Sequence, residues 1–178
     1  MYSLHGSTIV IERPYRETEF HRFDSEEEAR LKMAFLEELH TWIGTPFRDC
    51  AAIKGKAADC ASYQWAAAME VGLIRDVPKP KYHPRWLVHR DRDLYVEFLL
   101  SLGAREVETP RIGDIHLYFW CRVFGHGAVR INSDQVIHAH GHGSSITISS
   151  TQDELLTWMN IHAAKIPRPV RYFDVWNR

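Results

Sequence analysis

Apolar residues in the first half of the chain recur at helical spacing, whereas those in the second half alternate as strands do. Leu31, Phe35, Leu36 and Leu39 form one stripe of a helix that Asp24 or Ser25 caps. Glu26, Glu27 and Glu28 fill its first turn, where the helix dipole favours negative charge. A second helix is predicted from Asp59–Cys60 to about Val71, stopped by Gly72, with Ala61, Trp65, Ala68 and Met69 as its buried face. A third runs from about Asp91 to Leu102 and closes on Gly103. Gly44–Gly55 lacks periodicity and reads as a loop. Residues 75–90, with three prolines, read as a long surface connection.

From residue 112 the rhythm becomes that of strands. Asp114–Trp120, Gly127–Ile131, Gln135–Ala139 and Ser145–Ser150 are short runs separated by turn residues. Thr151–Glu154 (TQDE) carries a capping-box signature for a last helix, and Val170–Trp176 can supply a final strand. Before residue 23 only Ser7–Glu12 (STIVIE) is strand-like. The expected class is α+β, with helices first and an antiparallel sheet after them. The expected division is an N-terminal extension, 1–22, and a single domain, 23–178.

Charge and cysteine content narrow the partners. The formal net charge is −1 and no basic block stands out, so nucleic acid is not an expected partner. Cys50, Cys60 and Cys121 make an odd count, which points to reduced thiols, although spacing alone leaves a Cys50–Cys60 bridge open. The N-terminus has no apolar core of signal-peptide length, and no run approaches the ~20 apolar residues of a membrane span. A cytoplasmic site of synthesis and no membrane partner are expected.

Cys60 is the residue with the most chemical promise. It follows Asp59 as a helix opens, and an aspartate there accepts hydrogen bonds from the first N–H groups of the helix. The field of a helix N-terminus can lower a thiol pKa from ~8.5 into a range of about 3.5–7.5. Its backbone N–H groups can also hold an oxyanion. Asp59 and Cys60 thus form the candidate oxyanion end, whereas Cys50 and Cys121 have no such terminus. A small buried hydrophobe is the other reading of any cysteine.

Two histidines fall on a predicted hairpin. A turn centred on Asn132 sets His126 opposite His138, on one face, with Cβ atoms about 4.5–5.5 Å apart. Centring on Ser133 pairs His126 with His140 instead. Either arrangement suits a base that meets the thiolate and a second group that orients it. The alternating His138, His140 and His142 also have zinc-like spacing, but no second cluster accompanies them, so neither metal nor cofactor is expected. His116 reads as a strand-surface residue. Trp42, Trp86 and Trp120 are candidate walls of a substrate groove, core packing being the other role for each.

Four elements, in order, resemble the NlpC-like cell-wall cysteine peptidases, a branch of the papain-like fold. They are Trp42–Phe47 (WIGTPF), Asp59–Cys60, Gly113–Asp114, and His126–Gly127 with Ile137–His138–Ala139. The likeness spans about residues 30–150. Stretches such as RWLVHRDRDLYVEFLL and GAREV resemble the sub-group found in phage and prophage tail gene clusters. The resemblance implies Cys60 as nucleophile, His126 as base and His138 as third residue. It further implies hydrolysis of peptidoglycan peptide bonds, commonly between D-glutamate and a diamino acid. Stem peptides and phage tail proteins are then the partners, and the tail tip acting on the wall from the periplasm is the place of action. Two departures matter. Thr41 falls near the position where many members carry a tyrosine of the site. Ala58 and Ala61–Ser62 flank the Asp59–Cys60 pair, which leaves open the oxyanion donor beyond the Cys60 N–H. A non-catalytic tail assembly protein, or a thioesterase or acyltransferase on the same fold, are the alternative readings.

Overall fold

The computed structural model describes residues 1–83, 92–120, 123–140, 145–152 and 170–175. The helix expected after Thr151, together with Trp86, Cys121 and His142, lies outside them, as do the side chains of Trp120 and His140.

Helix α1, Glu26–His40, starts where its cap predicts: the Ser25 Oγ accepts the Glu28 N–H at 3.1 Å. Leu31, Phe35, Leu36 and Leu39 are all buried. Helix α2, Ser62–Glu70, departs from its expected amphipathic form. Ser62, Tyr63, Gln64, Ala67 and Ala68 are buried, whereas the predicted core residues Trp65 and Met69 are only half-buried. The reason is its central position. Tyr63 reaches the sheet, donating to the Ile137 carbonyl at 2.9 Å. On another side the Trp65 indole donates to the Val77 carbonyl at 3.0 Å. Helix α3 is Leu94–Ser101. Among the described residues no helix is long and apolar enough to cross a membrane.

Tyr2–His5, Thr8–Ile11 and Glu19–Arg22 form β1, β2 and β3, a small antiparallel sheet whose Ile9 and Ile11 join the core beneath α1. The strands flanking β2 carry polar residues such as Glu19 and His21, which is why only β2 was legible. Ala52–Ile53 (β4), within the expected loop, pairs with Ala57–Ala58 (β5) just beyond it. The main sheet is antiparallel, in the order β10-β9-β8-β7-β11-β6. Its strands are Arg105–Val107 (β6), Ile115–Trp120 (β7), Val123–Arg130 (β8), Gln135–His140 (β9), Ser145–Ser150 (β10) and Arg171–Asp174 (β11). Ile115, Leu117, Val129, Ile137 and Phe173 turn one face into the core with the helices. Tyr118, Ala128 and Val136 belong to the other face, in a cluster of their own.

A buried ion cluster fastens α1 to this sheet. The Lys32 ammonium is fully buried, 3.1 Å from Asp114 and 2.9 Å from Asp174. Arg111 joins Asp174 to the buried Glu28. Burial opposes the charge on Lys32, but the two carboxylates outweigh it and raise its pKa. Burial raises the Asp114 carboxyl, whereas Lys32 and Arg111 hold Asp174 below its usual range in spite of burial. Gly113 is required here: its φ is +80°, and a Cβ would stand 2.8 Å from the Lys32 Cδ.

A second close approach sets α2 against β8. Tyr95 of α3 is buried, and its hydroxyl bonds Gln64 at 2.8 Å and the Cys60 carbonyl at 3.3 Å. Its ring lies on Gly127, where a Cβ would fall 2.4 Å from the phenol oxygen.

Lys32→Met is expected to lower stability by about 3–5 kcal/mol, because it strands two buried carboxylates. Adding Asp114→Asn should recover part of that loss; urea unfolding measures both, and a loss well under about 1 kcal/mol would contradict the account. Gly127→Ala is expected to cost about 1–3 kcal/mol by overpacking. The same change in a Tyr95→Ala background should cost almost nothing, and an undiminished cost there would show that Tyr95 is not the obstacle.

Candidate functional site

Asp59 organises the turn that enters α2. One carboxylate oxygen accepts the Ser62 N–H at 2.8 Å, the capping contact expected from sequence. The other accepts the Cys50 N–H at 2.5 Å and the Tyr82 hydroxyl at 2.6 Å. Residues 77–82, part of the expected surface connection, are also bound across the start of α2. The Tyr82 carbonyl takes the Cys50 thiol at 3.2 Å, the Tyr82 hydroxyl lies 3.1 Å from Ser62 Oγ, and the Lys79 ammonium bonds the Cys50 carbonyl. Burial, followed by the Asp59 and Asp49 charges, raises the Cys50 thiol.

Cys60 occupies the turn just before α2, with its sulfur against β8. The thiol points to the Gly125 carbonyl at 3.9 Å, and the N–H groups of Gly127, Cys60 and Ala61 face the sulfur. Those amides favour a thiolate, as the sequence led one to expect. They are outweighed. Burial, and then the charge of Asp59, push the Cys60 thiol up to about 12. The expectation of a depressed thiol pKa is therefore corrected. The aspartate that caps the turn also repels the anion beside it.

The two histidines meet, through the second of the two registers left open by the sequence. Strand β8 pairs with β9 through Ala128↔His138, Val129↔Ile137 and Arg130↔Val136. This is the Ser133-centred alternative, which by count points His126 toward position 140. The ladder nevertheless ends at Ala128↔His138, and His126 Nε2 bonds His138 Nδ1 diagonally at 3.0 Å. The rings are 5.2 Å apart and nearly perpendicular, at 89°. Diagonal neighbours on a sheet lie within reach of ring side chains. Both histidines are buried, and His138 Nε2 continues to Ser149 Oγ on β10 at 3.0 Å. Tyr118 stands directly opposite His126 on β7, with the rings 6.1 Å apart.

Other expected positions differ. His116 is buried rather than on the surface, its ring edge-on to Tyr172 with centroids 4.7 Å apart. Burial, with the Arg130 charge, pushes it down to about 3, so it is neutral. Trp42 takes the core role, at 3% exposure, with its indole bonded to Glu38. The Thr41 hydroxyl caps α1 through the Glu38 carbonyl at 2.7 Å. Among the described residues no group of three or more His, Cys, Asp or Glu side chains is arranged to hold a metal ion. Tyr82, Tyr95, Gln64 and Ser149 were not singled out in the sequence, since the partner that gives each its role lies on a different element.

The arrangement sets a thiol and backbone N–H groups against β8, the strand that also carries one of two hydrogen-bonded imidazoles, and these are group types that acyl transfer uses. No family model matches the chain, and no curated protein matches it. Among solved structures it resembles the P60 domain of an antigen from M. avium subspecies paratuberculosis, with a TM-score of 0.50 and 15% sequence identity over 85% of this chain and 99% of that one. What the likeness carries is the fold: this chain, with its helices and antiparallel sheets, shares the architecture of a P60 domain, a domain of the NlpC/P60 family.

Proposed function

We propose that this protein is a cysteine peptidase that hydrolyses peptide bonds of bacterial peptidoglycan, with Cys60 as nucleophile, His126 as base and His138 as the residue that orients it. The observation that carries the reading is the position of the sulfur. It lies against the backbone of Gly125 and Gly127, the two neighbours of His126, whose Nε2 is bonded to His138. The motif order along the chain supports the wall as substrate. The γ-D-glutamyl–diamino acid linkage is the proposed bond, and a phage or prophage tail that carries the enzyme to the wall is the proposed setting.

The chemistry starts from a thiol, not a resting thiolate, because burial and Asp59 hold the proton on sulfur. His126 Nδ1 takes that proton as the sulfur attacks the carbonyl carbon. Backbone N–H groups at the start of α2, that of Cys60 first, receive the oxyanion. His126 then passes the proton to the leaving amine, and the C–N bond breaks. Water, deprotonated by His126, attacks the thioester and regenerates the thiol as the acid departs.

Two measurements follow. Muropeptide digestion read by mass spectrometry should show cleavage by the wild type, and a fall of about 10²–10⁴-fold in His126→Ala. Cys60→Ala should show none, and an inert wild type would favour the structural tail reading. Alkylation of Cys60 in the folded protein, without substrate, should be slow near pH 7 and keep rising beyond pH 9 toward the raised pKa of about 12. Because the folded state holds this proton more tightly than the unfolded chain, its stabilising share is full below about pH 8.5 and is lost as pH rises above that. A labelling rate that levels off below pH 8 would overturn the resting-thiol mechanism.

A further inference from the structure

We propose that Ser149 is a positioning residue that fixes His138 as its Nε2–H tautomer, so that His138 offers a bare Nδ1 to His126. The inference deepens the hydrolase reading and rests on it for its catalytic consequence. Its basis is the run of contacts from His126 Nε2 to His138 Nδ1 at 3.0 Å and from His138 Nε2 to Ser149 Oγ at 3.0 Å. Ser149 is opposite Val136 in the β9–β10 ladder, and Thr147 is the residue opposite His138. The serine therefore reaches the ring diagonally, as His126 does from the other side. One imidazole is held at both nitrogens by two different strands.

Such a run has two possible polarities, with opposite chemistry. If the serine hydroxyl donated to Nε2, His138 Nδ1 would carry the proton and donate to His126 Nε2. His126 would then hold its own proton on Nδ1 and could not accept one from a thiol. If Ser149 accepts from His138 Nε2–H, then Nδ1 is bare, and His126 Nε2–H donates to it. His126 Nδ1 is then the basic nitrogen. The second polarity is the one that serves a site whose sulfur rests protonated, since neutral His126 must accept that proton during attack. The hydroxyl of Ser149 can receive the His138 Nε2–H while turning its own proton elsewhere, so it terminates the run without a charge. With His138 wholly buried, no bulk water is at hand to make the same choice.

Long-range ¹H–¹⁵N spectra of histidine-labelled protein test the inference. In the wild type His138 should show a protonated Nε2 and an unprotonated Nδ1. In Ser149→Ala it should become a mixture of tautomers, and Ser149→Thr should restore the wild-type pattern. With muropeptide substrate, Ser149→Ala should lose about 10–100-fold in kcat, the range typical of partners that orient an imidazole, with little change in KM. A wild-type His138 protonated at Nδ1, or a Ser149→Ala spectrum identical to wild type, would overturn the proposal whether or not the protein turns over. A changed tautomer with unchanged kcat would overturn the positioning role. A tautomer set by Ser149 in a protein that cleaves nothing would uphold the contact, and only the hydrolase reading would fail.

Discussion

Everything about the site depends on how closely the start of α2 can come to β8. That approach is possible because Gly127 has no side chain and Tyr95 occupies the space a Cβ would take. The same phenol then bonds Gln64 and the Cys60 carbonyl, so one buried ring ties Cys60 and α2 to the strand. The Lys32 cluster acts at longer range. It fixes α1 to the Gly113–Asp114 corner and to β11, and α1 in turn supports α2 from behind. A burial of this kind contributes more to a single geometry than to net stability, since desolvation consumes most of the Coulomb gain.

Asp59 shows a conflict between structure and reactivity. Its carboxylate holds the turn, the Cys50 loop and the Tyr82 segment together through three hydrogen bonds. No neutral residue could do this as well, because charge-assisted bonds are roughly twice as strong as neutral ones. The same charge stands next to the thiol and opposes its ionisation. A helix N-terminus alone would have lowered that pKa. Here burial, and after it the charge of the cap, outweigh the amides, and proton transfer to an imidazole during attack is the route proposed.

Much of this was legible in the sequence, for reasons that can be named. The cap of α1, its apolar stripe and the strand runs are local patterns, and local patterns survive folding. Cys60, His126 and His138 could be named because a motif order brought them to notice, and the structure brings their neighbourhoods together. The register was not legible, because a turn shift of one residue leaves the alternation of β8 and β9 unchanged and alters only the pairing. Lys32 and His116 were missed because a charged or basic residue on a core face is set by partners distant in sequence. Ser149 and Tyr82 were missed for a similar reason. Each looks like any surface polar residue until another strand or loop is laid beside it.

The position of the sulfur in a defect of the sheet is the last physical point. Between β7 and β8 the register slips at Tyr118/Phe119, leaving Gly125 extra, and the β8–β9 ladder stops at Ala128↔His138. Gly125 and Gly127 are both buried there. The thiol of Cys60 points to the Gly125 carbonyl there, and the Gly127 N–H faces the sulfur. Bulges recur next to active sites. In this chain, the imperfection of the sheet and the chemistry proposed for it are one feature.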